Sequence, residues 1–342
     1  MRLYLTGATG YIGKALCLRL RAEGHEVRAL VRSTSPEDSL QLLREIGVAT
    51  FVGDLRDRYS LREGMSGADW VIHAAAELDL AAADDTMTAA NVEGSENVAS
   101  LARKLGVPRF LSISSMAAWG GSPADGTPAT EESAPQLPLP TRYCATKAAG
   151  EARVQHWAQQ GLQVNTVFPS LVYGPPGKKQ GANTLLRALM LGRFPALIGP
   201  DKKTSWIFLD DLVDGIVRVI ESAPPGRGYL MAGEAWTVRE LAHRVAALGG
   251  AKPPKREFSV GTARLLFRLA GPLLKLAGRP LPIPLEQLES LDRHWNFADT
   301  RARTELGWHP RGLEEGLGIT IDYLMKQEAQ RPARGWWGCR LA

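Results

Sequence analysis

Leu5-Thr6-Gly7-Ala8-Thr9-Gly10-Tyr11-Ile12-Gly13 is the stretch on which the fold of this chain turns. It closes the apolar run Leu3–Thr6, which reads as a strand, and opens a helix expected to run through Leu20. Glycines at 7, 10 and 13 let the backbone turn sharply, approach a pyrophosphate closely and pack the helix against the strand. The helix start adds N–H donors and the positive end of its dipole. The spacing is G-x-x-G-x-x-G rather than the more general G-x-G-x-x-G. Tight turns also use glycine. The strand–loop–helix setting nevertheless points to a dinucleotide, contacted by Thr6, Gly7, Thr9, Gly10, Tyr11, Ile12 and Gly13.

Working outward, short apolar runs recur at Val27–Val31, Ala49–Val52, Trp70–Ala74, Phe110–Ser114 and Val164–Phe168. Helical patterns lie between them, one ending near Leu105 and another near Gln160. This alternation predicts an α/β chain with a Rossmann-type doubly wound parallel sheet, its ligand crevice at the strand C-termini. After Pro169 the rhythm changes. Gly174–Gly181 reads as a loop, and Trp206–Leu209 as a strand leading through Asp210-Asp211 into a helix. Thr237–Leu248 reads as a helix, Thr237 and Glu240 forming a capping-box pattern. The expected division is a dinucleotide domain over 1–172 and a smaller mixed lobe for substrate over 173–325. Segments near 204–222 return to the first domain, and 326–342 forms a tail.

Composition is that of a globular protein: of 342 residues, 44% are hydrophobic and 23% charged. The net charge of +5 comes from scattered Lys and Arg, so no nucleic-acid partner is expected, and a phosphorylated cofactor would use part of the excess. Cys17, Cys144 and Cys339 show neither a disulfide framework nor metal-ligand spacing, and no metal is expected. The N-terminus lacks a signal-peptide pattern, and no apolar run is long enough for a membrane span. A cytoplasmic location is therefore expected.

The second strand bears on the type of cofactor. Binders of NAD place an acidic residue about 20 positions after the glycine loop, for the ribose 2′-hydroxyl. Here the strand ends in Arg32-Ser33-Thr34, and Arg suits a 2′-phosphate. NADP(H) is thus expected over NAD(H), with Arg32 as phosphate ligand and Arg28 as a helper on the same face. A solvated Arg at a strand end is the plainer alternative. In Gly53-Asp54-Leu55, Asp54 is placed to accept from the adenine amino group, or else to cap the next helix. Small residues in His73-Ala74-Ala75-Ala76 would let the backbone approach the cofactor, with Ala74 and Ala75 as contacts and His73 packed.

Tyr143 and Lys147 lie four residues apart in a helical segment, on one face and a turn apart. A neighbouring ammonium would favour the phenolate of Tyr143 and bring it toward acid–base work. Ser115 stands at the end of the fifth strand, where a hydroxyl can bond a substrate carbonyl. Cys144, one helical step off that face, reads as packing.

Together, Thr6–Gly13, Ser115 and Tyr143-Cys144-Ala145-Thr146-Lys147 resemble the extended short-chain dehydrogenase/reductase superfamily, the NAD-dependent epimerase/dehydratase family. Further matches are Asn91–Val98, Pro169–Pro175, Phe208–Leu212 and Asp299–Trp308, so the resemblance covers about residues 1–325. It implies a catalytic trio of Ser115, Tyr143 and Lys147, supported by Asn91, with Pro169 and Val172 bordering the nicotinamide. Hydride transfer between nicotinamide and a carbinol or carbonyl carbon is the implied reaction, with Tyr143 carrying the proton. Nucleotide-sugar members resemble Gly-Asp-Gly-x-x-x-Arg before the late strand. Here Gly199–Trp206 places Ser205 at the Arg position, which counts against a diphosphate ligand unless Lys202 or Lys203 takes its place. The branch containing dihydroflavonol-reductase-like, 3β-hydroxysteroid-dehydrogenase-like and hopanoid-associated epimerase-like proteins is the most similar. Reduction of a ketone or aldehyde on a largely apolar small molecule is therefore expected. A nucleotide-sugar epimerase or dehydratase, and a non-catalytic NADP-binding sensor or assembly factor, are the alternatives.

Ala263–Leu276 is rich in Leu, interrupted by Pro272, and reads as a pocket wall, as ordinary lobe core, or, given Arg264, Arg268, Lys275 and Arg279, as a membrane-surface contact. A homodimer through the helices bearing Asn91 and Tyr143 is also implied by the resemblance.

Overall fold

The computed structural model describes residues 1–79, 84–177, 181–276 and 285–330. In chain order its strands are β1 Arg2–Thr6, β2 Glu26–Val31, β3 Ala49–Val52, β4 Trp70–His73, β5 Arg109–Ile113 and β6 Val164–Pro169. They continue as β7 Leu171–Tyr173, β8 Ala196–Ile198, β9 Lys203–Phe208, β10 Gly228–Met231, β11 Glu234–Thr237 and β12 Arg256–Phe258. A seven-stranded sheet runs in the order β10-β6-β5-β4-β1-β2-β3. All its pairings are parallel. This is the Rossmann-type α/β fold anticipated from the strand–helix alternation.

The period-two geometry of a strand sends alternate side chains to opposite layers. Leu3 and Leu5 of β1 join one core with Leu16 and Leu20 of helix Tyr11–Ala22 and Leu212 and Ile216 of helix Leu209–Ser222. Tyr4 points the other way, into a core with Val98 of helix Gly94–Lys104 and Val154 of helix Arg142–Gln159. Burial on both faces explains why the interior strands read as continuous apolar runs, whereas the edge strand β3 is largely exposed. A third core, with Leu186, Trp206, Leu241 and Leu317, lies in the second half of the chain.

All six expected strands form, with β4 ending at His73 and β5 at Ile113. The strand β10 was not anticipated, because its four residues carry no pattern separating them from a loop. The strand expected at Trp206–Leu209 begins at Lys203 and stops at Phe208. Its polar first half pairs with β11 in a three-stranded sheet, and Leu209 already belongs to the following helix. The capping box at Thr237 and Glu240 is present. Helix Val260–Leu276 runs through Pro272 without interruption, so one proline did not break it. The tail residues 331–342 lie outside the described residues.

Candidate active site

The glycine loop folds as the spacing requires. Gly7 has φ +78°, and a Cβ there would lie 2.7 Å from the Ala75 nitrogen. At Gly13 a Cβ would lie 2.1 Å from the Gly7 carbonyl oxygen, so helix and loop touch backbone to backbone. Gly10 is the N-cap of helix Tyr11–Ala22, with no side-chain cap and no acidic residue in the first turn. The first helical N–H groups are therefore unsatisfied by the helix itself and free of competing negative charge. A pyrophosphate fits that cradle. The Ser114 hydroxyl, buried and without a hydrogen-bond partner among the described residues, marks a second polar position at the end of β5.

Other residues expected to touch the cofactor have structural work as well. The Thr6 hydroxyl bonds His73 Nδ1 at 2.8 Å and accepts from the Ala75 N–H at 3.3 Å. Ala74 donates to the Thr6 carbonyl, holding the β4 end against the loop. The Tyr11 hydroxyl donates to the Gly174 carbonyl. Asn183 locks the same turn: its Nδ2 donates to the Gly174 and Gly177 carbonyls, both at 2.7 Å, and its Oδ1 accepts from Gly174 N–H. The Tyr11 hydroxyl is thus engaged within the protein. Asn183 was missed by sequence reasoning, since a lone buried Asn carries no spacing signal. Thr9 is half-buried on the loop, and Ile12 half-buried against the first core. Pro169 closes β6, and half-buried Val172 lies in β7.

At the far end of the crevice, Arg32 is exposed just beyond β2. Asp54 is held by Arg56, whose Nε and Nη2 donate at 2.9 and 2.8 Å. These bonds, with a smaller contribution from Arg32, pull the Asp54 carboxyl down to about 2. Arg28 faces elsewhere, donating to Glu26 and to the Ser66 carbonyl, so it gives Arg32 no help here. Half-buried Leu55 accepts at its carbonyl from Asn97 Nδ2 at 2.9 Å.

Helix Arg142–Gln159 sets the catalytic candidates. Thr141 caps it, its Oγ1 accepting from the Cys144 N–H at 3.2 Å, and Cys144 is buried as packing. Tyr143 is hydrogen-bonded to Ser115. Ser115 in turn accepts from the Ala117 N–H at 3.1 Å, capping the short turn Met116–Trp119 two residues past β5. One helical turn on, Lys147 Nζ donates to the Ile113 carbonyl at 3.2 Å. The three residues meet at the C-terminal end of the sheet. The electrostatics differ from expectation. Burial pushes the Tyr143 phenol up to about 12, eased by the Ser115 hydrogen bond, and Lys147 is not among the groups that shift it. Burial also brings Lys147 down to about 8, against the opposing pull of Glu151.

Behind the trio lies a polar chain of contacts. His73 Nε2 meets Ser95 Oγ at 3.0 Å, and Ser95 donates to the Asn91 carbonyl at 2.8 Å. Asn91 sits in a π-helical turn, Ala89–Glu93, and its Nδ2 donates to Thr146 Oγ1 at 3.1 Å. Gly150 permits this close crossing, because a Cβ there would lie 2.2 Å from the Asn91 carbonyl oxygen. Burial first, and the Lys147 charge second, bring His73 down to about 3, so it is neutral and packed as expected.

Ser205 is fully buried, and its Oγ accepts from the Phe297 N–H at 3.0 Å. Ser205 is thus spent on a backbone contact inside the protein and offers no cation to a ligand. Tyr143 packs against an apolar cluster that includes Trp119, Phe168 and Phe297, with the Trp119 and Phe168 rings 4.6 Å apart. Asp211, beyond β9, chelates Arg311 at 2.9–3.1 Å and is structural. No group of His, Cys, Asp and Glu suited to a metal ion occurs among the described residues.

A family model described as the NAD dependent epimerase/dehydratase family matches residues 3–232. Over 330 residues the chain is 30% identical to 2-alkyl-3-oxoalkanoate reductase of Stenotrophomonas maltophilia, spanning 93% of this chain and 97% of that protein. Over 326 residues it is 30% identical to 4-hydroxy-2-methyl-3-oxo-4-farnesyl-3,4-dihydroquinoline-1-oxide ketoreductase of Stigmatella aurantiaca, spanning 92% and 95%. The crystal structure of gox2253 superposes with a TM-score of 0.83 at 27% identity, covering 96% of this chain and 99% of that one.

Proposed function

The chain belongs to the NAD dependent epimerase/dehydratase family, and from that premise we propose that it reduces a ketone or aldehyde on a largely apolar small molecule, with NADPH. It is an NAD(P)-dependent oxidoreductase. The observation that carries the finer reading is the Ser115–Tyr143 hydrogen bond with Lys147 one turn away, at the strand ends beside the glycine cradle. Two relatives support the substrate class, since their names join an oxo group to an alkyl or farnesyl chain. Burial of Ser205 argues against the diphosphate grip of a nucleotide-sugar enzyme.

Backbone N–H groups at Tyr11 and Ile12 would hold the pyrophosphate, with Arg32 serving the adenosine end and Pro169, Val172 and Lys147 the nicotinamide. When bound, the dinucleotide supplies a hydride to the carbonyl carbon. Ser115 donates to the carbonyl oxygen and fixes its position. Tyr143 then delivers its proton to that oxygen, giving the alcohol. A phenol pushed up to about 12 keeps this proton throughout the neutral range, as the reducing direction requires. Lys147 places its ammonium beside the developing phenolate.

The protonated form of Lys147 is the useful one, and it is lost as pH rises through about 8. Reduction is expected to fall about tenfold per pH unit above that value, measured as kcat/KM against pH. A Lys147→Arg variant should move this limb upward. For cofactor choice, Arg32→Glu is expected to weaken NADPH binding by about a hundredfold, roughly 2.7 kcal/mol, with little change for NADH. Equal weakening of both cofactors, by titration calorimetry, would remove Arg32 from the phosphate site.

A further inference from the structure

We propose that the outward face of helix Val260–Leu276 seats this protein on an anionic lipid bilayer. The helix is anchored by Val260 and Ala263, buried against Leu288, with half-buried Phe267 beside them. At 100° per residue, Leu265 and Leu269 fall opposite that anchored face, with Leu266 close by. They are 58%, 66% and 43% exposed respectively. Three exposed leucines within five residues is the only such grouping among the described residues. The pocket-wall expectation therefore fails for these three.

The charges on this helix and in the segment leading into it choose the occupant. Between residues 252 and 271 stand Lys252, Lys255, Arg256, Arg264 and Arg268, against a single carboxylate, Glu257. Glu257 is chelated by Arg239, and Arg264 pairs with Glu289 and Asp292. Lys252, Lys255, Arg256 and Arg268 are exposed and have no carboxylate partner among the described residues. An apolar ridge that carries one unpaired cation, Arg268, on its own helix and three more in the segment leading into that helix matches an anionic membrane interface, where leucines enter the acyl boundary and cations meet phosphates. A symmetric contact with a second copy would set this basic border against itself. The helix connects to the catalytic helix through its neighbour: Leu288 of helix Leu285–Leu291 packs with Val260 and Ala263, and Glu286 of the same short helix accepts from the Arg142 N–H, next to Tyr143. A membrane seat there would let an apolar substrate enter from lipid, a consequence that rests on the proposed function; the docking itself does not.

The test is co-sedimentation of the full chain with phosphatidylcholine vesicles, with and without one-third phosphatidylglycerol. Binding is expected to the anionic vesicles, weakened by salt and by Arg268→Glu. It should weaken about tenfold or more in Leu265→Ser/Leu269→Ser. Circular dichroism and reduction of a short water-soluble ketone should stay unchanged in the double variant. No sedimentation, or sedimentation unaffected by the double substitution, overturns the proposal. So does a concentration-dependent dimer in light scattering that the double variant abolishes, because a second copy would then cover the face. Vesicle binding without reduction of any ketone would instead contradict the proposed function and leave the docking intact.

Discussion

Tyr143→Phe is expected to lower ketone reduction about a thousandfold while NADPH binds with unchanged Kd. Phe keeps the half-buried ring in its setting beside Trp119 and Leu139 and removes only the hydroxyl. Two things go with it: the proton delivered to the carbonyl oxygen, and the hydrogen bond that orients Ser115. Both act on the chemical step, so kcat should fall and the KM for NADPH should not move. Stopped-flow measurement of NADPH oxidation under single-turnover conditions reads this directly. Activity within tenfold of wild type would show that another group moves the proton. Biological function surviving the substitution, with NADPH still bound, would favour the non-catalytic sensor reading.

The second large effect belongs to Gly13→Ala. A methyl group there would sit 2.1 Å from the Gly7 carbonyl oxygen and 2.7 Å from its carbon, both backbone atoms that cannot turn aside. The helix must back away from the loop, taking the cradle's N–H donors with it. NADPH affinity is expected to drop at least a hundredfold, about 2.7 kcal/mol, with a further loss of roughly 1–3 kcal/mol in stability from overpacking. Gly318→Ala is the matched control. That glycine lies inside helix Leu313–Ala329, and a Cβ there meets nothing within 4 Å. It should raise helix stability by about 0.5–1 kcal/mol and leave cofactor binding alone. Calorimetric titration with denaturant unfolding separates the two outcomes. Tight NADPH binding by the Gly13 variant would mean that the loop can reshape around a Cβ.

Much of this was legible in the sequence, for a local reason. Strand–turn–helix units bury both faces of the interior strands, so β1, β2, β4, β5 and β6 announce themselves as apolar runs between helical stretches, and the exposed edge strand β3 is legible from Phe51 and Val52 in the same rhythm. The glycine loop and the Tyr143–Lys147 spacing are set within a few residues, and so could be read directly. What depends on residues far apart could not. Asn183 and Tyr11 meet across more than 170 positions to lock the Gly174 turn, and no periodicity marks either one. The short strand β10 takes its place only because β6 offers an edge to pair with. Environment was likewise invisible: the spacing suggested that Lys147 acts on the Tyr143 phenol, whereas burial dominates both groups. The leucines of Val260–Leu276 looked like core by composition. Only the position of the helix on the lobe shows that three of them face outward.

The central claim is that hydride leaves NADPH for the carbonyl carbon of an apolar ketone and stays there. It is tested most directly by supplying NADPH deuterated at the transferring position of the nicotinamide, with a long-chain alkyl 3-oxoalkanoate as substrate. Mass spectrometry of the product then reads the isotope. One deuterium on the carbinol carbon, matched by one oxidised cofactor per alcohol formed, is the predicted result. Unlabelled alcohol, or no alcohol from the ketone together with a nucleotide sugar epimerised without net cofactor oxidation, would contradict it.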